Sequence, residues 1–205
     1  MTTAVVTAWY EHRELAPAYF AAVQHADELI IIDNGSDPPL DFADVRIEVN
    51  TGFCFANNLG LEQATADVVV FLNNDVKGGR ANWIQTLAAE TGPKKLAGAC
   101  LRYDRHTDID GQTLPYLDGW CIAGRRQDLL ALGGFDDTLE EPAYYSDNLL
   151  CLEARAQGFE LIEVPTGLVH LENVTANDRD DVKAASSANR ARYQQRAREL
   201  LRVAA

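Results

Sequence analysis

The chain has 205 residues, is 47% hydrophobic and 24% charged, and carries a net charge of -13. That make-up is ordinary for a globular protein of one domain, or one domain plus an appendage. No stretch approaches the roughly eighteen apolar residues of a membrane-spanning helix, and an acidic balance argues against wholesale nucleic-acid binding.

The start, Met1-Thr2-Thr3-Ala4, lacks the basic and apolar regions of a signal peptide, so a cytoplasmic location is expected. Cys54, Cys100, Cys121 and Cys151 lie far apart without a CxxC pair and read as reduced thiols. The glycosylation sequons at Asn34 and Asn173 are taken as chance matches. The charge is uneven. Residues 182–205 carry Lys183, Arg190, Arg192, Arg196, Arg198 and Arg202 against Glu199 alone, so that tail is +5 and the rest of the chain is -18.

In chain order, Thr3–Ala8 is a short apolar run and the first expected strand. Arg13–Gln24 has helical composition. Glu28–Ile32 is a second buried strand, stopped by the turn signal Asp33-Asn34-Gly35-Ser36-Asp37-Pro38-Pro39. Val45–Val49 reads as a third strand, Phe55–Ala64 as a helix and Asp67–Leu72 as the fourth strand. The alternation predicts an α/β fold with a mostly parallel sheet flanked by helices. Right-handed crossovers then set residues 6–10, 33–37, 50–52 and 73–75 along one edge.

The second half is less regular. Trp83–Ala89 looks helical, Leu96–Arg102 looks like a strand, and residues 103–117 read as a loop or hairpin. Gln127–Leu132 is a short helix closed by Gly133-Gly134. Ser146–Gln157 is a stronger helix with Ser146 as its expected N-cap and Gly158 just past its end. Phe159–Val164 reads as a strand stopping at Pro165, and Ala184–Val203 as a long helix.

There is no P-loop, GxGxxG, HExxH or GxSxG. The segment from His106 to Gly111 faintly resembles a calcium loop, but His occupies its first ligand position and Leu117 stands where the closing Glu belongs, so it is rejected. What remains are polar clusters at predicted strand ends. The sharpest is Val68-Val69-Val70-Phe71-Leu72-Asn73-Asn74-Asp75, an apolar run that ends in a carboxylate. In open α/β sheets ligands bind just outside the carboxyl ends of strands. A carboxylate there suits a hard divalent cation bridging to substrate phosphates.

Six segments, in order, resemble the family 2 glycosyltransferases of GT-A fold, particularly the rhamnosyltransferase-like branch. They run from Ile30–Asp37, through Asn50–Phe53 with Asn57–Gly60, to Val70–Asp75. Leu117–Arg126, then Gly133–Asp136 with Tyr145–Asp147, and finally Val164-Pro165 with Val169-His170 complete the series. Two departures are plain. The DXD metal motif reads Asn73-Asn74-Asp75, with one carboxylate, and the usual Glu-Asp before the base helix reads Ser146-Asp147. Leu149 and Glu153 also stand where the family often has Asp and Arg.

The resemblance implies a GT-A glycosyltransferase domain over 1–180 and a basic C-terminal helix, 181–205, packed on it or extending from it. It implies a metal-dependent, inverting transferase moving a sugar from a nucleotide-diphosphate donor of UDP, dTDP or GDP type to a glycan or lipid-linked saccharide hydroxyl. Asp75 and His170 would hold Mn2+ or Mg2+. Asp147 would be the general base. Asp33, Asn57, Asn73 and Asn74 would lie on the donor side. Thr7 and Trp9 would flank the nucleotide base, although Trp9 suits the core equally well. Asp118 and Trp120 would meet the acceptor. Arg125 and Arg126 are candidate phosphate partners or simply a solvated basic pair. The C-terminal helix suits docking on the acidic body, the simpler expectation, or peripheral contact with the anionic inner face of a membrane. The rivals are a transferase acting on a modified nucleic-acid base or a protein, and a degenerate fold that binds a nucleotide sugar without turnover.

Overall fold

The computed structural model describes residues 1–103, 107–139, 144–171 and 180–203, with only the backbone described at 180–184, 202 and 203. His106, Asn173 and Asp178 fall outside the described residues. A seven-stranded sheet forms the centre. Its strands are β1 (Thr3–Trp9), β2 (Glu28–Asn34), β3 (Val45–Ile47), β4 (Val68–Leu72), β6 (Lys95–Gly98), β11 (Cys121–Arg125) and β12 (Glu160–Glu163), in the order β12-β6-β11-β4-β1-β2-β3. All share one direction except β11, which runs antiparallel to both β4 and β6. All five residues of β4 are buried, as its unbroken apolar run requires when helices cover both faces. The parallel register, with Val5 opposite Val70 and Val6 opposite Ile30, sets the carboxyl ends of β1, β2 and β4 side by side.

Two apolar layers fill the faces. On one, α1 (Ala16–Val23, after a 3-10 turn at Arg13–Leu15) and α3 (Trp83–Glu90) pack Tyr19, Val23, Trp83 and Leu87 against Val5, Val70 and Ala123. On the other, α2 (Phe53–Gln63), α4 (Arg126–Leu132), α5 (Ser146–Ala156) and α6 (Asp180–Val203) pack Leu61, Leu129, Leu150 and Tyr193 against Val6, Phe71 and Ile122. Short antiparallel ribbons complete the fold: β5 (Val76–Gly78) with β13 (Leu168–His170), β7 (Leu101–Arg102) with β10 (Tyr116–Leu117), and β8 (Asp108–Ile109) with β9 (Gln112–Thr113).

The expected strand Leu96–Arg102 is divided. Gly98 lies so near β11 that a Cβ there would meet the Cys121 carbonyl at 2.9 Å. Beyond it the chain leaves the sheet, and Leu101–Arg102 pair with Tyr116–Leu117. Ser146 is not the N-cap of α5. Tyr145, in a left-handed conformation at φ 75°, holds that position, and Ser146 is buried in the first turn.

Helix α6 docks on the body through ion pairs. Arg196 pairs with Glu153 of α5, Arg192 with Asp136 at 3.1 Å, and Arg198 with Asp110 at 3.4 Å. Tyr193 packs on Tyr145 at 5.7 Å between ring centres, and Ala197 is fully buried. Glu153, one of the departures from the family pattern, is the anchor for Arg196. Among the described residues no helix is long and apolar enough to cross a membrane.

Candidate active site

The site forms where β4 ends. Asn73-Asn74-Asp75 carry the chain from β4 into β5, and β13 runs antiparallel to β5 with His170 opposite Val76. A hydrogen bond from Leu171 N to the Asp75 carbonyl, 2.8 Å, extends that pairing. Backbone register therefore sets His170 beside Asp75, with Nε2 3.0 Å from Oδ1. The two atoms are close without hydrogen-bond geometry, for Asp75 Oδ1 is buried with no donor aimed at it. Asn73 Nδ2 lies 3.4 Å from the same Nε2. The Trp120 ring stacks on His170, 5.1 Å between centres and 8° from parallel.

A buried carboxylate oxygen with no donor is costly unless something else satisfies it. Here it faces an imidazole nitrogen that also presents a lone pair when the ring proton sits on Nδ1. A carboxylate oxygen and an imidazole nitrogen converging on one point form a donor pair fit for Mn2+. Among the described residues no three or more His, Cys, Asp or Glu side chains gather to hold a metal. Such a pair therefore leaves most of a cation's positions to substrate oxygens and water.

The same edge continues to Asp147. Asn73 N donates to the Trp120 carbonyl at 2.9 Å, extending the β4–β11 ladder. One residue earlier, Gly119 N donates to Asp147 Oδ2 at 2.9 Å. Asp147 opens α5, and its Oδ1 accepts from Asn148 N at 2.8 Å. Gly119 must be small, since a Cβ there would lie 3.1 Å from the Asp147 Cβ. Burial pushes the Asp147 carboxyl up to about 6, helped by the charge of Asp118 and opposed by the backbone donors. The helix N-terminus alone would have lowered it. Asp118 is held by Arg102, Nε to Oδ2 at 2.6 Å.

The remaining sequence candidates divide by burial. Asn73 and Asn74 border Asp75 and keep partial exposure. Thr7, Trp9, Asp33 and Asn57 lie at the same edge but are almost wholly buried. The Thr7 hydroxyl bonds Tyr19 and the Leu72 carbonyl. Trp9 donates to the Glu11 carbonyl and packs among Tyr19, Phe20 and Phe42. Asn57 donates back to the Phe53 carbonyl. Asp33 accepts from Ser36 N, Leu40 N and Arg46. These residues shape the edge from beneath. Asn34 is likewise buried, with its amide bonded to residues 50–52, so its sequon has a structural use. Gly35 lets those segments meet, because a Cβ there would sit 2.4 Å from Asn50 N. Arg125, opposite Val68 in the register, and Arg126 lie at the other edge of the sheet, away from Asp75.

Three residues near the site, Arg46, Arg102 and Gly119, take no chemical role from the sequence alone. Arg46 stands opposite Asp33 in the parallel register, which strand alternation alone could have paired. Arg102 was hidden inside an apparent strand. Gly119, a glycine between two polar candidates, is the usual sign of close backbone approach. A separate cavity of about 580 Å³ lies between the end of α4, α5 and α6, lined by Phe135, Asp136, Leu149, Leu150, Arg192 and Arg196 among others, and includes none of Asp75, His170 or Asp147.

No protein-family model and no curated protein matches the sequence. Solved structures match the fold. Mannosyltransferase PcManGT from Pyrobaculum calidifontis, in complex with GDP-Man and Mn2+, aligns with a TM-score of 0.61 at 16% identity, over 80% of this chain and 54% of that one. GalNAc-T7 with UDP, GalNAc and Mn2+ gives 0.68 at 14% identity, over 89% of this chain and 47% of that one. Glucosyl-3-phosphoglycerate synthase from Mycobacterium tuberculosis, with Mn2+, UDP and phosphoglyceric acid, gives 0.68 at 19% identity, over 96% of this chain and 78% of that one. The chain spans about half the length of the first two. With a mostly parallel sheet, helices on both faces and these likenesses, the chain has the GT-A fold.

Proposed function

We propose that the chain is a metal-dependent, inverting glycosyltransferase. It would move a sugar from a nucleotide-diphosphate donor to a hydroxyl of a glycan or lipid-linked saccharide, in the manner of the rhamnosyltransferase-like branch. The observation that carries this is the orphaned Asp75 Oδ1 facing His170 Nε2, at a sheet edge to which Asp147 of α5 is tied through the Gly119 N–H. The structural neighbours are themselves described with GDP or UDP ligands and Mn2+.

Asp75 and His170 would hold the ion, with Asn73 beside them. A divalent ion there would offset the charge of the departing diphosphate, which an acidic body cannot do alone. Asn73 and Asn74 face the donor phosphates. Asp33, Thr7, Trp9 and Asn57 support the donor face from within. Asp118 and Trp120 border the acceptor side. Asp147 takes the proton of the acceptor hydroxyl as its oxygen bonds the anomeric carbon and the carbon–phosphate-oxygen bond breaks. A carboxyl pushed up to about 6 is ionised near neutrality yet basic enough to share a proton in flight.

A second proposal is binding without turnover, favoured by Asn73 in place of a charged ligand. One experiment separates the two. The protein is incubated with Mn2+ and UDP-, dTDP- or GDP-sugars, and both thermal stabilisation and donor consumption are recorded. Stabilisation with consumption, both lost in Asp75→Ala, is the expected result. Stabilisation without consumption by any donor and acceptor favours the binding role, and neither effect with any donor overturns both.

A further inference from the structure

We propose that the Arg102–Asp118 ion pair is a positioning device for Asp147, and that it sets how readily the Asp147 carboxyl takes a proton. This rests on the assignment of Asp147 as the base.

The geometry is built by a ribbon outside the main sheet. In β7–β10, Arg102 stands opposite Tyr116 and Leu101 opposite Leu117. The pairing continues through Asp118 N, which donates to the Cys100 carbonyl at 2.9 Å. That pairing sets Asp118 opposite Cys100, two residues along from Arg102, whose Nε reaches diagonally across the ribbon to Oδ2 at 2.6 Å. The carboxylate holds the Arg102 guanidinium above its ordinary range. The next residue, Gly119, gives its N–H to Asp147 and packs against the Asp147 side chain without a Cβ between them. Asp147 thus rests on the backbone link that follows the ion pair.

As a surface pair, Arg102–Asp118 contributes little to folding, because Arg102 is 43% exposed. Its effect on Asp147 is another matter, since that carboxyl is desolvated and feels nearby charge more strongly. The elements packed on α5 are β10, β12, α4 and α6. From β10 comes Tyr116. From β12 come Glu160 and Glu163, and from α4 Arg126 and Asp128. From α6 come Arg192, Arg196, Arg198 and Glu199, each in an ion pair. On α5 itself lie Glu153, Arg155 and Cys151, whose buried thiol is pushed up to about 12 and stays neutral. Among charged neighbours Asp118 bears most strongly on Asp147. The Asp118 charge disfavours a second carboxylate beside it, and Arg102 limits that repulsion.

The test measures two quantities in Asp118→Asn, Arg102→Gln and Arg102→Lys. One is the carbon-13 NMR titration of the Asp147 carboxyl, and the other is the pH profile of donor turnover with Mn2+. Asp118→Asn should lower the Asp147 midpoint by about 1 pH unit, and Arg102→Gln should raise it by about half a unit. Arg102→Lys should leave it close to wild type. Arg102→Gln alters an exposed side chain, so it keeps the test usable if Asp118→Asn folds poorly. An Asp147 titration unmoved in Arg102→Gln and in any folded Asp118→Asn overturns the proposal. A titration that moves while the turnover profile stays fixed upholds it and overturns the base assignment instead.

Discussion

Trp120 and His170 lie face to face, 8° from parallel and 5.1 Å apart, although one precedes β11 and the other ends β13. The stack fixes the imidazole plane, and with it the direction of Nε2 towards Asp75. Trp120 is only 8% exposed, so its ring acts on the site mainly through His170. Trp120→Ala is expected to weaken Mn2+ binding about tenfold, the scale seen when a group that orients a metal ligand is lost. Trp120→Phe keeps an aromatic face and should lose much less. Electron paramagnetic resonance of free Mn2+ gives both constants without any turnover. Equal affinities in the two variants would remove Trp120 from this role.

Asp75 costs the metal-free protein stability, because Oδ1 is buried and unpaired. In Asp75→Asn the new amide can donate to His170 Nε2 across the existing 3.0 Å gap. The variant should therefore be more stable without metal, by about 1 kcal/mol. It should also lose the thermal shift that Mn2+ with donor produces. Denaturant unfolding in EDTA, set beside thermal shifts in Mn2+, reads both effects. A variant less stable than wild type in EDTA would mean that Asp75 is already satisfied within the protein.

With the role proposed for it, Asp147 should give a pH dependence of both rate and stability. Its carboxyl is pushed up to about 6, above the ordinary carboxylate range. A base must be ionised, so turnover should rise with pH through about 6. The folded protein binds the extra proton between about pH 4 and 6, so stability attributable to this group falls as pH rises across that window. Asp147→Asn should lower the transfer rate by roughly 10²–10⁴-fold. At pH 7.5 it should raise stability by about 1 kcal/mol, a figure reduced for the partial exposure of the side chain. At pH 4 the gain should vanish. A loss of stability at pH 7.5 would contradict the raised carboxyl.

Much of the fold was legible because buried strands write long apolar runs. Val68–Leu72 announced itself, and with it the edge that carries Asp75. The pairing of His170 with Asp75 depends on β5 and β13, each of three residues, too short to show a period in sequence. Burial of polar groups was the other blind spot. Asp33 and Thr7 look like ligand contacts beside a turn, yet backbone donors and a tyrosine hydroxyl consume them. Sequence supplies the carboxylate but not the amides that meet it. Arg102 was missed for a topological reason, since its segment leaves the sheet where Gly98 crowds β11.

Asp33 yields a stability prediction that is independent of catalysis. Burial raises its carboxyl, but bonds from Leu40 N, Ser36 and Arg46 together hold it below the ordinary range. Its contribution is present above about pH 4 and is lost as pH falls through the folded value. Arg46→Ala leaves the buried charge with Leu40 N and Ser36 as its remaining donors. The expected cost is about 2 kcal/mol at pH 7, scaled down because Arg46 is 31% exposed. Chemical denaturation from pH 3 to 7 should show that cost shrinking towards the acid end. A cost that does not change with pH would assign the loss to packing of the arginine stem.

Gly119 links the edge proposed to hold the metal to the proposed base, and it is the residue whose smallest change tests that link. A methyl group there would sit 3.1 Å from the Asp147 Cβ and 3.3 Å from Oδ2. Such contacts force a shift of a few tenths of an ångström. The carboxylate would then move from the acceptor while β11 and α5 keep their packing. Gly119→Ala should lower kcat about tenfold, since misplacing a reacting group by a fraction of an ångström already costs that much. Mn2+ affinity should stay unchanged, because His170 and Asp75 are held by the β5–β13 register. Steric pressure on the base has a further consequence in the double variant. With Asp147→Asn already in place, adding Gly119→Ala should do nothing more to the residual rate, because the two changes act through one carboxyl. Additive losses would show that Gly119 serves the reaction by another route, and the path from Trp120 to Asp147 would have to be abandoned.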